Sequence, residues 1–323
     1  MSSLPVRSVC ILLVVMASAG RTQAQSFTRW RHDVAGAFTI TFDDNSLKQS
    51  TVVRPILNAH GVHATWFVPT GTVGPANLAL LQQAAAEGHE VASHSITHGD
   101  LTTMDSAGAD YELRRSKALI DSLIPGQRCV SFAYPYCTVN DMLARIAARL
   151  YSGGRICGGV TVNSPTPGDM QRIIGVGYGS DQAYGPTLPS SILNGYVDQA
   201  ISRRGWMVTF CHEFDGAGTG WVSSDTFAAH LDYVVSKGEQ LYCATFGEVA
   251  RYIQERRCAT VLLKADNGSS RTYTLADTLS DNALYNLPIT LLLPLPSGWT
   301  TVTVTQNGGA CWSAMRNDPS STV

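Results

Sequence analysis

Charge is scarce in this chain. Asp, Glu, Lys and Arg make up only 15% of its 323 residues, 25 acidic against 23 basic, for a formal net charge of −2. No cluster of Lys or Arg stands out, which argues against nucleic acid as a partner. Long apolar runs are also missing: past the first segment, no stretch approaches the roughly 20 apolar residues that a membrane-spanning helix needs. Low charge does not mean disorder here. Hydrophobic residues are 44% of the total, enough for a substantial core, and the length suits one large domain plus a small one.

Residues 1–19 have the layout of a secretory signal. Arg7 gives the positive start, Val9 to Met16 the apolar run, and Ala17-Ser18-Ala19 a small-residue cleavage site, with cleavage nearer Gln25 as an alternative. The run is too short to span a bilayer, and Cys10 lies at its start rather than after it, so a lipid-anchored cysteine is not supported. The mature protein is expected to be secreted or periplasmic, where disulfides are permitted. Removing Cys10 leaves Cys129, Cys137, Cys157, Cys211, Cys243, Cys258 and Cys311. An odd number leaves at least one thiol free or paired between chains. Connectivity stays open; a bridge between Cys258 and Cys311 would tie the tail to its own start.

From Ala37 to Arg256 strand and helix patterns alternate. Apolar β-type runs at 37–42, 64–68, 90–93, 129–133, 155–160, 173–176, 206–211 and 240–243 are separated by helical patterns. Such alternation implies a parallel sheet covered by helices, and at this length a closed or nearly closed barrel is favoured over an open sheet. After Cys258 the texture changes to short β-type runs broken by Gly, Asn, Pro and Ser. We expect a barrel at 26–257 and a small β-rich appendage at 258–323. Trp299, Trp312 and Tyr285 of the appendage read first as its own core, and second as a carbohydrate-binding face.

Polar clusters follow four of the strands: Asp43-Asp44, His94 with His98, Pro135-Tyr136, and His212. In parallel α/β folds the carboxyl ends of strands share one rim, where chemistry gathers. His94 and His98, three residues apart, can reach one ion from a single turn, and zinc with two histidines commonly takes a carboxylate third ligand and keeps a position open for water. Asp43 or Asp44 could supply that carboxylate. Adjacent carboxylates ending a buried strand are costly without a cation; the plainer alternative for Asp43 is a helix N-cap. Cys211-His212 is not a Cys–His dyad, because neighbours on a strand point to opposite faces. His32, His60, His63, His89 and His230 have no motif support and read as structural or solvent-facing.

Together these residues resemble the NodB-homology polysaccharide deacetylases, carbohydrate esterase family four. Thr41-Phe42-Asp43-Asp44 matches the family's first motif, TFDD, and His94-Ser95-Ile96-Thr97-His98 its second, H-[ST]-x-x-H. Ala133 to Tyr136 falls at the third motif and Phe210-Cys211-His212 at the fifth; the run Gly61 to Gly71 also looks like the family's second strand. The resemblance implies a distorted (β/α)7 barrel and one divalent ion, usually zinc, held by Asp44, His94 and His98. It implies Asp43 as general base, His212 as general acid, the backbone N–H of Tyr136 at the oxyanion, and Tyr134 and Pro135 against an acetylated polysaccharide or oligosaccharide. Four positions depart from the pattern. Asn45 replaces a glycine, and Ala133 replaces the arginine that orients the base, with Arg172 as a candidate substitute. The fourth motif is not found, Asp181 being a weak stand-in, and Phe210 replaces a leucine. Two competing readings remain: an amidohydrolase of the same barrel acting on a small non-sugar amide, which a deep closed pocket would favour, and a non-catalytic glycan-binding relative.

Overall fold

The structure is a computed structural model that describes residues 12–14, 25–178, 188–216, 221–281, 283–293, 296, 299, 301–306 and 309–315. The expected leader lies outside these residues apart from 12–14, as do Asp181 and the side chain of Trp312. The chain divides into two compact units. One is Ala35–Ala250; the other joins the preceding segment to everything from Arg251 onward.

Two short strands come first, β1 (Leu12–Val14) and β2 (Ser26–Phe27), and belong to the second unit. The barrel follows as β3 (Gly36–Asp43), β4 (Thr65–Val68), β5 (Glu90–Ser93), β6 (Ser131–Ala133), β7 (Gly153–Gly158), β8 (Ile173–Gly177) and β9 (Trp206–Cys211). Each is parallel to the next, and β9 pairs with β3 from Ala37 to Phe42, closing a ring of seven. Two-residue strands β10 (Glu213–Phe214) and β11 (Trp221–Val222) pair beyond the rim. An eighth strand in the sheet, β12 (Leu241–Cys243), pairs with the start of β3 at Gly36–Phe38, while β4 pairs with its end at Thr41–Asp43. The extra strand and the split edge distort the barrel from regular symmetry.

Helices α1 (Arg54–Ala59), α2 (Pro75–Ala86), α3 (Ser106–Leu123), α4 (Asp141–Ala148), α5 (Ser190–Ser202), α6 (Ser224–Ser236) and α7 (Phe246–Cys258) fill the connections. Start signals lie in the sequence: the Asn140 side chain accepts from the Leu143 N–H at 2.9 Å, and Asp105 from the Gly108 N–H at 2.8 Å. All eight residues of β3 are buried, as expected of a strand covered on both faces. Phe42 packs against Trp66, Phe214 and Phe227 with ring centroids 5.0 to 6.0 Å apart.

The pattern at 47–60 predicts one helix, but the backbone makes a π-turn over Gln49–Val53 before α1 begins. Pro55 has no N–H to return to the preceding turn, and the widened turn leaves Gln49 buried beneath the rim. Its Nε2 donates to the Asp43 and His212 carbonyls, both at 2.6 Å, stapling the ends of β3 and β9. Deeper in the ring, the Glu90 carboxylate accepts from Ser131 Oγ (2.5 Å), Thr65 Oγ1 (2.8 Å) and the Gly247 N–H in the first turn of α7 (2.8 Å). A buried carboxylate is tolerable because these donors and the positive end of the helix dipole replace its hydration.

Two histidines without motif support are built into the core as neutral rings. His89 Nδ1 accepts from the Ala64 N–H at 3.2 Å, and its Nε2 donates to Asn58 Oδ1 at 2.9 Å. His230 Nδ1 donates to Asn194 Oδ1 at 2.9 Å. Burial lowers each to about 4, with His63 adding to the effect at His89. The unfolded chain therefore binds more protons below pH 6.5, and stability is lost as pH falls from 6.5 toward 4. At pH 5 the loss is about 2 kcal/mol per histidine by linkage. Urea midpoints at pH 7 and pH 5 measure it; equal midpoints would contradict the buried neutral assignment.

In the second unit, β13 (Ala259–Asp266) and β14 (Arg271–Asp277) form an antiparallel hairpin. A short β15 (Thr290–Leu292) lies between β1 and β2, and β16 (Thr301–Gln306) pairs antiparallel with β17 (Gly309–Met315), which the sequence pattern did not indicate. Tyr285 donates its hydroxyl to Gln254 at 2.7 Å and Trp299 its indole N–H to the Gly268 carbonyl at 2.8 Å. Cys137 and Cys157 form a disulfide. Among the described residues, Cys129, Cys211, Cys243 and Cys258 lie outside any disulfide, so the bridge considered at Cys258 is not made.

Candidate metal centre and active site

The four polar clusters meet at the carboxyl rim of the barrel. Asp44 Oδ1 lies 3.3 Å from His98 Nε2 and 3.7 Å from His94 Nε2, and the three donor atoms fall within 4.8 Å of one another. Donors about 2.0–2.1 Å from a tetrahedral zinc ion stand roughly 3.4 Å apart, so the set fits a divalent ion with little adjustment. The tautomer fits as well. His94 Nδ1 donates to the Ala133 carbonyl at 2.8 Å, which leaves the Nε2 lone pair facing Asp44. Burial lowers the His94 pKa against the raising effect of Asp43, and a neutral imidazole is the form that ligates.

The backbone bends sharply to bring these groups together. Asp44, Asn45, Ser95, His98, Tyr136 and Cys137 all have positive φ, between 55° and 69°. Asn45, at φ +56°, stands where the family pattern has glycine, and asparagine is among the few side chains that adopt this region readily. The turn bearing His98 is held from below by Glu112 of α3. Its carboxylate accepts from the Ile96 N–H (2.8 Å), the Thr97 N–H (3.1 Å) and Thr97 Oγ1 (3.0 Å). Outer groups that fix a ligand loop are typically worth 10–100-fold in metal affinity. Glu112→Gln should therefore weaken zinc binding by about 10-fold or more, measured by competition with a chromogenic chelator; unchanged affinity would show that the turn holds itself.

Asp43 is 3% exposed and does not join the triad. Its Oδ2 instead accepts from Arg155 Nη2 at 2.5 Å, and its Oδ1 is buried without a hydrogen-bond partner. It is not a helix N-cap. Burial pushes its pKa up, but the Arg155 guanidinium, then His94 and His212, outweigh burial and hold it below the usual carboxylate value. His212 Nε2 stands 3.9 Å from Asp43 Oδ2 and 4.0 Å from Asp44 Oδ2. Cys211 is buried, in keeping with its alternation against His212.

Tyr136 presents its ring to solvent, 65% exposed, with its centroid 4.9 Å from that of the His98 ring in an edge-to-face arrangement. Tyr134 and Pro135, expected against substrate, are buried instead. The Tyr134 ring packs on Phe132 at 4.9 Å, because the two share the face of β6 opposite to Ser131 and Ala133, turned away from the barrel interior. Arg172 does not reach Asp43 either. It pairs with Asp169 at 2.5 Å and Asp141 at 2.6 Å. Sequence reasoning missed Arg155, Glu112 and Gln49. Each carries a polar side chain in an otherwise ordinary strand or helix pattern, a signal too common to single them out.

The barrel rim thus carries a donor set that could hold a metal ion, with a carboxylate and a histidine beside it. Residues 33–151 match the family model for polysaccharide deacetylase, in agreement with the resemblance of the first two motifs to the NodB-homology polysaccharide deacetylases. It is 39% identical over 108 residues to a chitooligosaccharide deacetylase of Rhizobium leguminosarum bv. trifolii, covering 33% of this chain and 49% of that one. It is 27% identical over 301 residues to a gellan lyase of a Bacillus species, 86% of this chain and 12% of that one. The chain thus spans about an eighth to about a half of the length of these two curated relatives. A solved structure from Mycobacterium smegmatis, assigned by name to the polysaccharide deacetylases, superposes with a TM-score of 0.53 at 16% identity, over 72% of this chain and 94% of that one; it speaks to the fold alone. Arg155 and His212 lie beyond the segment that the family model matches.

Proposed function

We propose that this protein is an exported, metal-dependent deacetylase that hydrolyses N- or O-acetyl groups of a polysaccharide or oligosaccharide. The observation that carries the reading is the division of labour between adjacent carboxylates: Asp44 converges with two imidazoles, while Asp43 is held apart by an arginine. A divalent ion held by Asp44, His94 and His98, with zinc the ion best suited to this donor set, would polarise the acetyl carbonyl and make a bound water more acidic.

The chain's own groups supply the rest. Asp43, ionised and with one oxygen unengaged, takes the proton of the attacking water. The backbone N–H of Tyr136 donates to the oxygen on which negative charge develops. His212, with its Nε2 3.9 Å from Asp43 and 4.0 Å from Asp44, gives a proton to the departing amine or alkoxide. Asp44 is 44% exposed and Tyr136 projects freely; an open rim with an exposed aromatic ring suits a long glycan better than a small enclosed amide. The polysaccharide named in the Bacillus relative and the chitooligosaccharide named in the Rhizobium one support the same substrate class. The Cys137–Cys157 disulfide supports export to an oxidising compartment.

Acetate release from N-acetylated chitooligosaccharide and from acetylated xylan tests the proposal. Release from at least one, lost with chelator and restored by zinc, is expected. Zinc-loaded protein that binds these glycans but frees no acetate would instead make it a binding protein.

A further inference from the structure

Resting on the deacetylase reading, we infer that Arg155 is the positioning residue for Asp43, and that it has taken this role across one step of sheet register from Ala133. Ala133 of β6 pairs directly with Arg155 of β7. Directly paired residues of parallel strands direct their side chains to the same face. A guanidinium leaving β7 at this level thus enters the same interior space as one leaving β6.

Three further features make room for the displaced side chain. Gly175 of β8 lies beside it, and a Cβ there would stand 2.8 Å from Arg155 Cδ and 3.2 Å from its Cγ. Phe210, where the family pattern has leucine, places its ring under the guanidinium, 4.4 Å from centroid to Cζ, and Phe67 adds a second ring at 5.3 Å. Cys157, two residues on, is bonded to Cys137 beside Tyr136, and Arg155 Nη1 points to its sulfur at 3.7 Å. Alanine at 133, arginine at 155, glycine at 175 and phenylalanine at 210 form one set. Two of them are departures from the family pattern that the relocation explains.

The role is geometric. Arg155 is 1% exposed, gripped by rings on two strands, and its Nη2 fixes one oxygen of Asp43. That leaves the other oxygen, Oδ1, buried and without a hydrogen-bond partner.

The test moves the arginine back. Arg155→Ala should lower kcat about 100-fold, in the range for mispositioning a general base, with KM and zinc affinity within about two-fold. Adding Ala133→Arg to that variant should recover at least about 10-fold of the loss, a rescue that a merely structural arginine would not permit. Crystal structures of both variants supply a readout that needs no turnover: the Asp43 carboxylate should leave its position in the single variant and return in the double. If Arg155→Ala keeps near-normal kcat, if it loses zinc together with turnover, or if Asp43 stays in place without it, the assignment is wrong. Should the alanine variant fail to fold, Arg155→Lys carries the test: turnover should fall with zinc retained, and loss of zinc instead would overturn the role. If the wild-type protein frees no acetate, the deacetylase reading fails, while the Asp43 displacement still decides the positioning of that carboxylate.

Discussion

Asp43→Asn should reduce acetate release by about 100- to 10,000-fold, the range measured for removing a general base, with one zinc ion per chain still bound. The argument is the separation seen at the rim. Asp44 faces both imidazoles, whereas Asp43 is turned to Arg155 and stays outside the donor set. Asparagine keeps an oxygen for the guanidinium but cannot take a proton from water. It also leaves a buried arginine without its counter-charge, a loss of roughly 3–5 kcal/mol when a buried pair is broken outright. A lower melting midpoint should therefore accompany the kinetic defect. Metal content by mass spectrometry, a melting curve and acetate assays on one preparation separate the effects. Folded, zinc-loaded Asp43→Asn protein with turnover within ten-fold of wild type would exclude Asp43 as the base.

The second large effect is expected at the ligands, and it should be unequal between the two histidines. His94 is buried, with its ring fixed by the Ala133 carbonyl, whereas the His98 side chain is 26% exposed on a turn that Glu112 supports. His94→Ala should lower zinc affinity by more than the roughly 100-fold upper end for an outer supporting group and abolish acetate release. His98→Ala should lose less, since water can take the place of a partly exposed ligand. Competition titrations give both affinities. Equal losses would mean that the two rings contribute alike and that the anchor on Ala133 is immaterial; full zinc retention in His94→Ala would remove it from the site.

Much of this site could be read before folding was considered. Asp43-Asp44 and His94 to His98 are contiguous in sequence, and local chemistry suffices to flag them. The barrel was legible for a similar reason: strands buried on both faces and helices with polar caps such as Asn140 leave periodic marks. What remained hidden depends on neighbours distant in sequence. Arg155 stands beside Ala133 only through the register of β6 and β7. Gln49 meets Asp43 and His212 only because a π-turn precedes Pro55. The burial of Tyr134 beside Phe132, on the face of β6 away from the rim groups, follows from strand alternation that the motif's name conceals. Arg172 was the candidate substitute for the missing arginine, yet two carboxylates of its own surroundings hold it elsewhere.

The closing seam between β3 and β9 has a consequence for biogenesis. Thr41 donates its hydroxyl to the Thr209 carbonyl, 168 positions along the chain. A growing polypeptide thus completes β3 long before its far neighbour exists, and that edge stays bare through most of synthesis. Unpaired edges recruit foreign strands, and contacts of such separation are slow to form. Substitutions that leave chemistry untouched but lower yield, or cause clumping at elevated growth temperature, should concentrate along this last-joined border.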